Sequence, residues 1–399
     1  MPTAPARDPT VRNVVLLAIC QALAMSAAAM IVTMSSLVGH LLAEDKGQAT
    51  LPLACQFLAT MVVTIPASLL MERIGRRAGF SLGALFGIAS GLISAWAIFA
   101  HSFALFCLGS ALFGVASAFA YFYRFAAADT ASEAFKSRAI SLVLAGGLVA
   151  AFLGPQLAVW TREAFAPVLF AGSYLALVGL AGLALVTLQF IAIPRPSLAV
   201  RSAGGRPLLE IMRQRKFLVA VLAAITGYGG MNLVMTATPL AMVACNHPFE
   251  SAALVIQWHA VGMFAPAFIT GNLIQRYGCE RIIALGGLLI LGCIAVNLSG
   301  VAVWQFWLAL VLLGIGWSFM FIGGTTLLTE VYRPEERAKV QGLNDLLVFG
   351  SVAVTAWSSG QIFDALGWQA INISLLLPVA LALALALWYG RRRALAPLS

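Results

Sequence analysis

Charge is scarce in this sequence: only 10% of its 399 residues are Asp, Glu, Lys or Arg, against 61% hydrophobic residues and a mean hydropathy of +0.95. No soluble core of this length hides so much apolar surface. Cysteine is also sparse, and Cys20, Cys55, Cys107, Cys245, Cys279 and Cys293 stand singly, with no CxxC pair to make a metal site or redox motif. The four histidines are dispersed, and there is no phosphate-binding P-loop, no GxSxG elbow, no HExxH and no pair of carboxylates at catalytic spacing. No metal site, cofactor or enzymatic activity is therefore expected.

What is present is a succession of long apolar runs. A helix needs about 20 mostly apolar residues to cross a hydrocarbon layer of roughly 30 Å. Loop signals between the runs place twelve such spans, near 14–42, 49–71, 79–99, 103–128, 139–161, 167–191, 217–243, 251–274, 282–300, 304–328, 340–361 and 366–389. The formal charge of +9 sits in the loops between spans rather than on one soluble face, so it points to membrane orientation and not to nucleic acid. With a cytoplasmic N-terminus, one side receives Arg73, Arg76, Arg77, Lys216, Arg276 and most other basic residues, and the opposite side only Lys46 and Arg162. Both termini are expected in the cytoplasm, with the first span staying in the membrane as a signal anchor.

Between the sixth and seventh spans lies the longest polar segment, rich in Pro, Gly and Arg, followed by a short basic stretch from Leu208 to Lys216. It reads as a flexible linker ending in a short surface helix. The expected organisation is a first half over 1–191, a linker over 192–216 and a second half over 217–399. The two halves resemble each other. Ser68-Leu-Leu-Met-Glu-Arg-Ile-Gly-Arg-Arg77 follows the second span, and Gly271-Asn-Leu-Ile-Gln-Arg-Tyr-Gly-Cys-Glu-Arg281 follows the eighth. Glycines inside the spans, such as Gly83, Gly87, Gly91, Gly109, Gly114, Gly323 and Gly324, read as faces of close helix packing.

The span count, central linker and first charged loop together resemble the major facilitator superfamily of secondary transporters. The family's loop signature falls here on Ser68, Glu72, Arg73, Gly75, Arg76 and Arg77, with serine for the first glycine and glutamate for aspartate. In the second half Gly271, Arg276, Gly278 and Arg281 remain, and Gln275 replaces the acid. The resemblance implies an all-α membrane protein of twelve transmembrane helices in two pseudo-symmetric six-helix bundles, which rock around a midplane site. It also implies a conformational gate of Glu72, Arg73, Gly75, Arg76 and Arg77, with Glu72 facing the start of span eleven and Arg76 paired with Asp129. Gly146-Gly-Leu-Val-Ala-Ala-Phe-Leu-Gly-Pro155 looks like part of the motif of the family's proton-coupled exporters, but the downstream glycine pair is missing.

Polar residues inside spans are costly and mark function by default. Arg124 and Tyr121 in span four, Gln21 in span one, Tyr228 and Asn232 in span seven, Trp258 in span eight, Trp317 in span ten and Asn344 in span eleven are the candidate substrate contacts. Arg124 reads either as an anchor for an electron-rich substrate or as an arginine snorkelling to the surface. Asp345 and His259 are candidates for coupling to protons, or for structural roles. Amides and aromatic rings suit a substrate with hydrogen-bonding edges and a flat apolar body.

The reading that follows is a secondary transporter in the bacterial inner membrane, a monomer working by alternating access on a small organic solute. The degraded exporter motif inclines it to uptake of an aromatic vitamin-like metabolite, a flavin being one example. Proton-coupled efflux of drugs or metabolites is the alternative, and a non-transporting membrane sensor or assembly partner a third.

Overall fold

The computed structural model describes residues 9–129, 136–193, 205–333 and 336–395. Among these the regular elements are helices, and no strand occurs. Hydrocarbon offers no water to an unpaired peptide group, so a spanning segment must satisfy its backbone internally, as a helix does. The first seven helices are α1 (Pro9–Leu42), α2 (Leu51–Ile74), α3 (Arg76–Phe99), α4 (Phe103–Ala120), α5 (Tyr123–Asp129), α6 (Lys136–Thr161) and α7 (Ala171–Leu188), with a 3-10 turn at Lys46–Thr50. After the short α8 (Leu208–Met212) come α9 (Arg215–Ala244), α10 (Phe249–Phe264), α11 (Ala267–Tyr277), α12 (Cys279–Ser299), α13 (Val303–Thr329), α14 (Arg337–Ser374) and α15 (Leu376–Leu395).

Nine helical segments among the described residues are long and apolar enough to cross a membrane, or ten if α10 and α11, bent by 41°, form one span. One of the nine, Lys339–Arg391, has 53 residues, about 80 Å of helix and more than twice the hydrocarbon thickness. Gly367, at φ 78° and ψ −176°, breaks α14 within that segment. It therefore supplies two spans. A shorter apolar helix, Ala145–Thr161 in α6, completes the twelve that the sequence predicts. Most boundaries agree within a few residues, and α4 differs because the turn at Tyr121–Phe122 interrupts it before α5.

The chain divides into two compact units, Met1–Met34 with Cys55–Ala199, and Ser35–Ala54 with Val200–Ser399. In the first unit a core forms where Met71, Phe80, Phe119 and Tyr123 meet Leu17, Val143 and Leu188, with the Phe80 and Tyr123 rings edge to face at 4.7 Å. A Cβ on Gly114 would collide with the carbonyl oxygen of Gln56, so only glycine lets α4 approach α2 this closely. Thr60 Oγ1 donates to the Gly114 carbonyl across the same contact at 3.0 Å. Asn13 closes the unit: its Nδ2 donates to Ala192 O at 2.8 Å and its Oδ1 accepts from Ala192 N at 3.0 Å.

In the second unit α9 is buried over most of its length, and its neighbours are joined by polar contacts. Asn297 Nδ2 donates to Asn372 Oδ1 at 2.8 Å, and Ser359 Oγ to Leu233 O at 2.8 Å. Within the same unit, Thr50 Oγ1 donates to Trp357 O at 3.3 Å and accepts from Gly360 N at 3.0 Å. The expected surface helix after the linker is α8. Linker residues 194–204 lie outside the described ones.

Just before α8, Arg206 clasps Glu336, which has no exposed side-chain surface. Glu336 accepts from Arg206 N at 2.7 Å, Arg206 Nε at 3.0 Å and Arg206 Nη2 at 2.8 Å, and from Arg333 N at 3.0 Å. Lys339 Nζ donates to Arg206 O. The bidentate Arg206 guanidinium, then the Arg333 amide, hold the carboxyl far below the usual carboxylate range. A depressed folded-state value contributes stability above the unfolded value of about 4.3, and that contribution is lost as the pH falls towards the folded one. Glu336→Gln should therefore lower the thermal midpoint of the purified protein at pH 7, with the deficit shrinking below pH ~4. A deficit unchanged between pH 7 and pH 3 would refute the ionic character of the clasp.

Candidate functional site

The charged loop of the first unit is built by one residue. The chain reverses between α2 and α3 at Gly75, whose φ of 90° and ψ of 158° belong to a region open essentially to glycine alone. Gly75 N donates to Met71 O at 2.9 Å and Gly79 N to Gly75 O at 3.1 Å, so both helices are finished through this residue. Between α11 and α12 of the second unit Gly278 takes φ 87° and ψ 154°, the same corner within a few degrees. The sequence repeat is thus a repeat of backbone geometry.

Around Gly75, Glu72 and Arg73 are exposed at the end of α2. The Arg76 guanidinium stands 5.7 Å from the Phe122 ring centroid, and Arg77 Nη2 donates to Gln189 Oε1 at 3.1 Å. The Asp129 side chain lies outside the described residues. In the second loop the acid missing at Gln275 has a counterpart that sequence reading passed over. Glu280 is buried in the first turn of α12, where the helix dipole favours a negative charge.

The substrate candidates of the second unit separate into two groups. Tyr228 of α9 lies edge-on to Trp317 at 5.4 Å and to Phe321 at 5.3 Å, and Phe349 of α14 is 6.0 Å from it. Trp317 and Phe321, one turn apart on α13, are stacked at 5.3 Å with 10° between their planes. Phe264, at the end of α10, is 6.4 Å from Trp317. Phe264, Phe321 and Phe349 were not among the sequence candidates, because phenylalanines in apolar spans look alike until packing brings them together.

One turn beyond Tyr228, the fully buried Asn232 donates through Nδ2 to Val352 O at 3.0 Å and to Thr355 Oγ1 at 3.3 Å. Its Oδ1, and the indole Nε1 of Trp317, are buried with no hydrogen-bond partner among the described residues. Tyr228, Trp317, Phe321, Phe349 and Phe264 thus form a five-ring cluster whose one indole Nε1 is buried without a partner among the described residues.

Other candidates fall elsewhere. Trp258 is partly exposed and meets Trp307 edge to face at 6.0 Å, apart from the Tyr228 cluster. His259 is buried, with Nδ1 2.8 Å from Leu310 O. Because that oxygen can only accept, Nδ1 carries the proton and the ring ties α10 to α13. Asn344 is buried and donates to the carboxylate of exposed Asp345 at 3.2 Å. In the first unit Gln21 is buried on α1, Tyr121 lies half-buried in the turn after α4, and Arg124 is exposed with its guanidinium 4.8 Å from the Phe125 ring centroid.

A sequence model of the Major Facilitator Superfamily matches residues 17–344 and 222–398. The chain belongs to this superfamily. It is 45% identical over 376 residues to the riboflavin transporter RfnT of Brucella anthropi, covering 93% of this chain and 94% of that protein. It is 29% identical over 383 residues to YddS of Bacillus subtilis, an uncharacterized MFS-type transporter, covering 89% and 86%. Among solved structures, that of a point mutant of the nucleoside transporter NupG aligns with a TM-score of 0.73 at 11% identity, over 95% of this chain and 99% of that one. At that identity the likeness speaks for the fold. A superfamily member with these apolar helices is a multi-pass membrane protein.

Placing alanine at Gly75 or Gly278 forces an L-residue into the glycine-only corner, at about 1–3 kcal/mol each. Both variants should unfold at lower temperature than the parent in a detergent thermal ramp. An unchanged midpoint for Gly75→Ala would show that the corner does not need glycine.

Proposed function

We propose that the chain is a secondary transporter that brings riboflavin or a close flavin relative into the cell. The observation that carries this reading is the 45% identity to the riboflavin transporter of Brucella anthropi along almost the full length of both proteins. The aromatic cluster of the second unit supports it on independent grounds. An isoalloxazine ring is planar, apolar on its faces and lined at one edge with carbonyl acceptors and a ring N–H. Tyr228, Trp317 and Phe321 are rings of the kind that pack on such faces, and Trp317 Nε1 and Asn232 Oδ1 are a donor and an acceptor without partners among the described residues that suit such an edge.

In this reading Tyr228, Trp317 and Asn232 are the principal substrate contacts of the second half, Asn344 is a further one, and Trp258 is peripheral. Gln21, Tyr121 and Arg124 are the candidate contacts of the first half. The loop from Glu72 to Arg77 acts as the conformational gate, and a proton carried by Asp345 or His259 is the candidate coupling ion. The protein works as a monomer in the inner membrane of a bacterium, with both termini in the cytoplasm.

The test is uptake of labelled riboflavin by a bacterial riboflavin auxotroph without a flavin transporter of its own. Expression of this chain should restore growth at low external riboflavin. Trp317→Leu should cut the uptake rate at limiting substrate by about tenfold, equivalent to ~1.4 kcal/mol of lost binding. Failure of the correctly inserted parent chain to restore uptake would overturn the assignment. Glu72→Ala should slow uptake while leaving the riboflavin-induced thermal shift of the purified protein in place, whereas loss of that shift would remove Glu72 from the gate.

A further inference from the structure

Two of the cysteines that stand singly in the sequence meet in the fold. Consecutive spans cross the membrane in opposite directions, so α2 and α4, with α3 between them, run the same way. Each begins at the end of the first unit opposite the charged loop. Cys55 is in the second turn of α2 and Cys107 in the second turn of α4. The hydrogen bond from Thr60 Oγ1 to the Gly114 carbonyl sets the register of the two helices. Cys55 stands five residues before Thr60 and Cys107 seven before Gly114, a mismatch of two residues or about 3 Å along the axes.

The separation across the helices is equally small. A disulfide needs its Cα atoms about 4.4–6.8 Å apart, nearer than the ~8–10 Å between the axes of ordinarily packed helices. Here the backbones touch: a Cβ on Gly114 would collide with the carbonyl oxygen of Gln56, the residue next to Cys55. The two thiols lie within hydrogen-bonding reach of each other. Both side chains are partly exposed, whereas Cys20, Cys279 and Cys293 are buried.

We infer that Cys55 and Cys107 are a dithiol that closes to a disulfide and staples α2 to α4. The oxidant is an exchangeable disulfide. One cysteine thiolate attacks it, forming a mixed disulfide and releasing one thiol; the other cysteine then displaces the second thiol and completes the Cys55–Cys107 bond. The oxidant is thereby reduced to two thiols, which take up the two protons that the cysteines lose. Both residues belong to the first unit, so the staple lies within it. In the orientation proposed above this end faces the periplasm, where disulfides form and persist. Closure of the pair does not itself depend on that orientation or on what the protein transports.

The test uses the reduced, full-length protein in detergent, treated with dipyridyl disulfide, a lipid-soluble reagent, and then digested for peptide mass spectrometry. Peptides containing Cys55 and Cys107 should appear joined, with neither cysteine holding a pyridylthio group. Cys55→Ser should leave that group on Cys107, and Cys107→Ser should leave it on Cys55. The joined protein should unfold several degrees above its dithiothreitol-reduced form, a difference that either variant abolishes. Separate pyridylthio groups on the two cysteines of the folded parent, or two unreacted thiols, would overturn the pair. A joined protein with an unchanged midpoint would overturn the staple.

Discussion

Two helices in lipid gain nothing by hiding leucines from one another, because the acyl chains they displace are equally apolar. Association then depends on how closely two backbones can approach, and that contact governs this structure. Gly286 of α12 and Gly316 of α13 face each other so closely that a Cβ on either would lie within 3 Å of the other's carbonyl oxygen. Gly114 meets Gln56 in the first unit, and Gly154, just before Pro155, meets the Ser26 carbonyl of α1. The Gly-Pro element that resembles an exporter motif is thus a packing surface within its own bundle.

Polar groups in the bundles follow an equally strict economy. Hydroxyls bond back to the carbonyl one turn earlier, as Ser26, Thr33 and Thr60 do, and amides bridge helices, as Asn297 and Asn372 do. Against that background, Asn232 Oδ1 and Trp317 Nε1 are among several buried polar atoms, Gln56 Oε1, Asn297 Oδ1 and Trp368 Nε1 included, without hydrogen-bond partners among the described residues, and such groups are costly in a medium that offers no water. A cost of that kind is tolerable where a ligand removes it. Trp317 itself packs against Tyr228, Phe264 and Phe321.

The spans and the repeated charged loop were legible in the sequence because each leaves a local mark: a run of apolar residues, a cluster of arginines, a glycine at a fixed offset. The resemblance to the family's loop signature made Gly75 and Gly278 equivalent, and their dihedral angles agree. What could not be read depended on residues far apart in the chain. Arg206 and Glu336 are 130 positions apart, and nothing near either marks it as half of a clasp. Tyr228, Trp317 and Asn232 were singled out as unusual residues within spans, but the three phenylalanines that complete the cluster were indistinguishable from lipid-facing ones. Trp258 shows the converse, since helix rotation decides where a ring points and adjacency to His259 does not reveal it. Gly367 was passed over because a glycine between two apolar runs does not disclose a positive φ.

The reciprocal bonds between Asn13 and Ala192 join the two ends of the first unit's helical path. Every strong contact described within that unit is then made by residues already synthesised when position 192 leaves the ribosome. Domains generally fold as units during synthesis, N-terminal first, and this unit can close while the second is still being translated. One segment is excepted: the tip of the first hairpin, Ser35–Ala54, is grouped with the later unit. Its Thr50 must wait roughly three hundred residues for Trp357 and Gly360. The first hairpin is therefore inserted early and completed last, so the order of translation makes its tip the final piece of the first half to find its native partners.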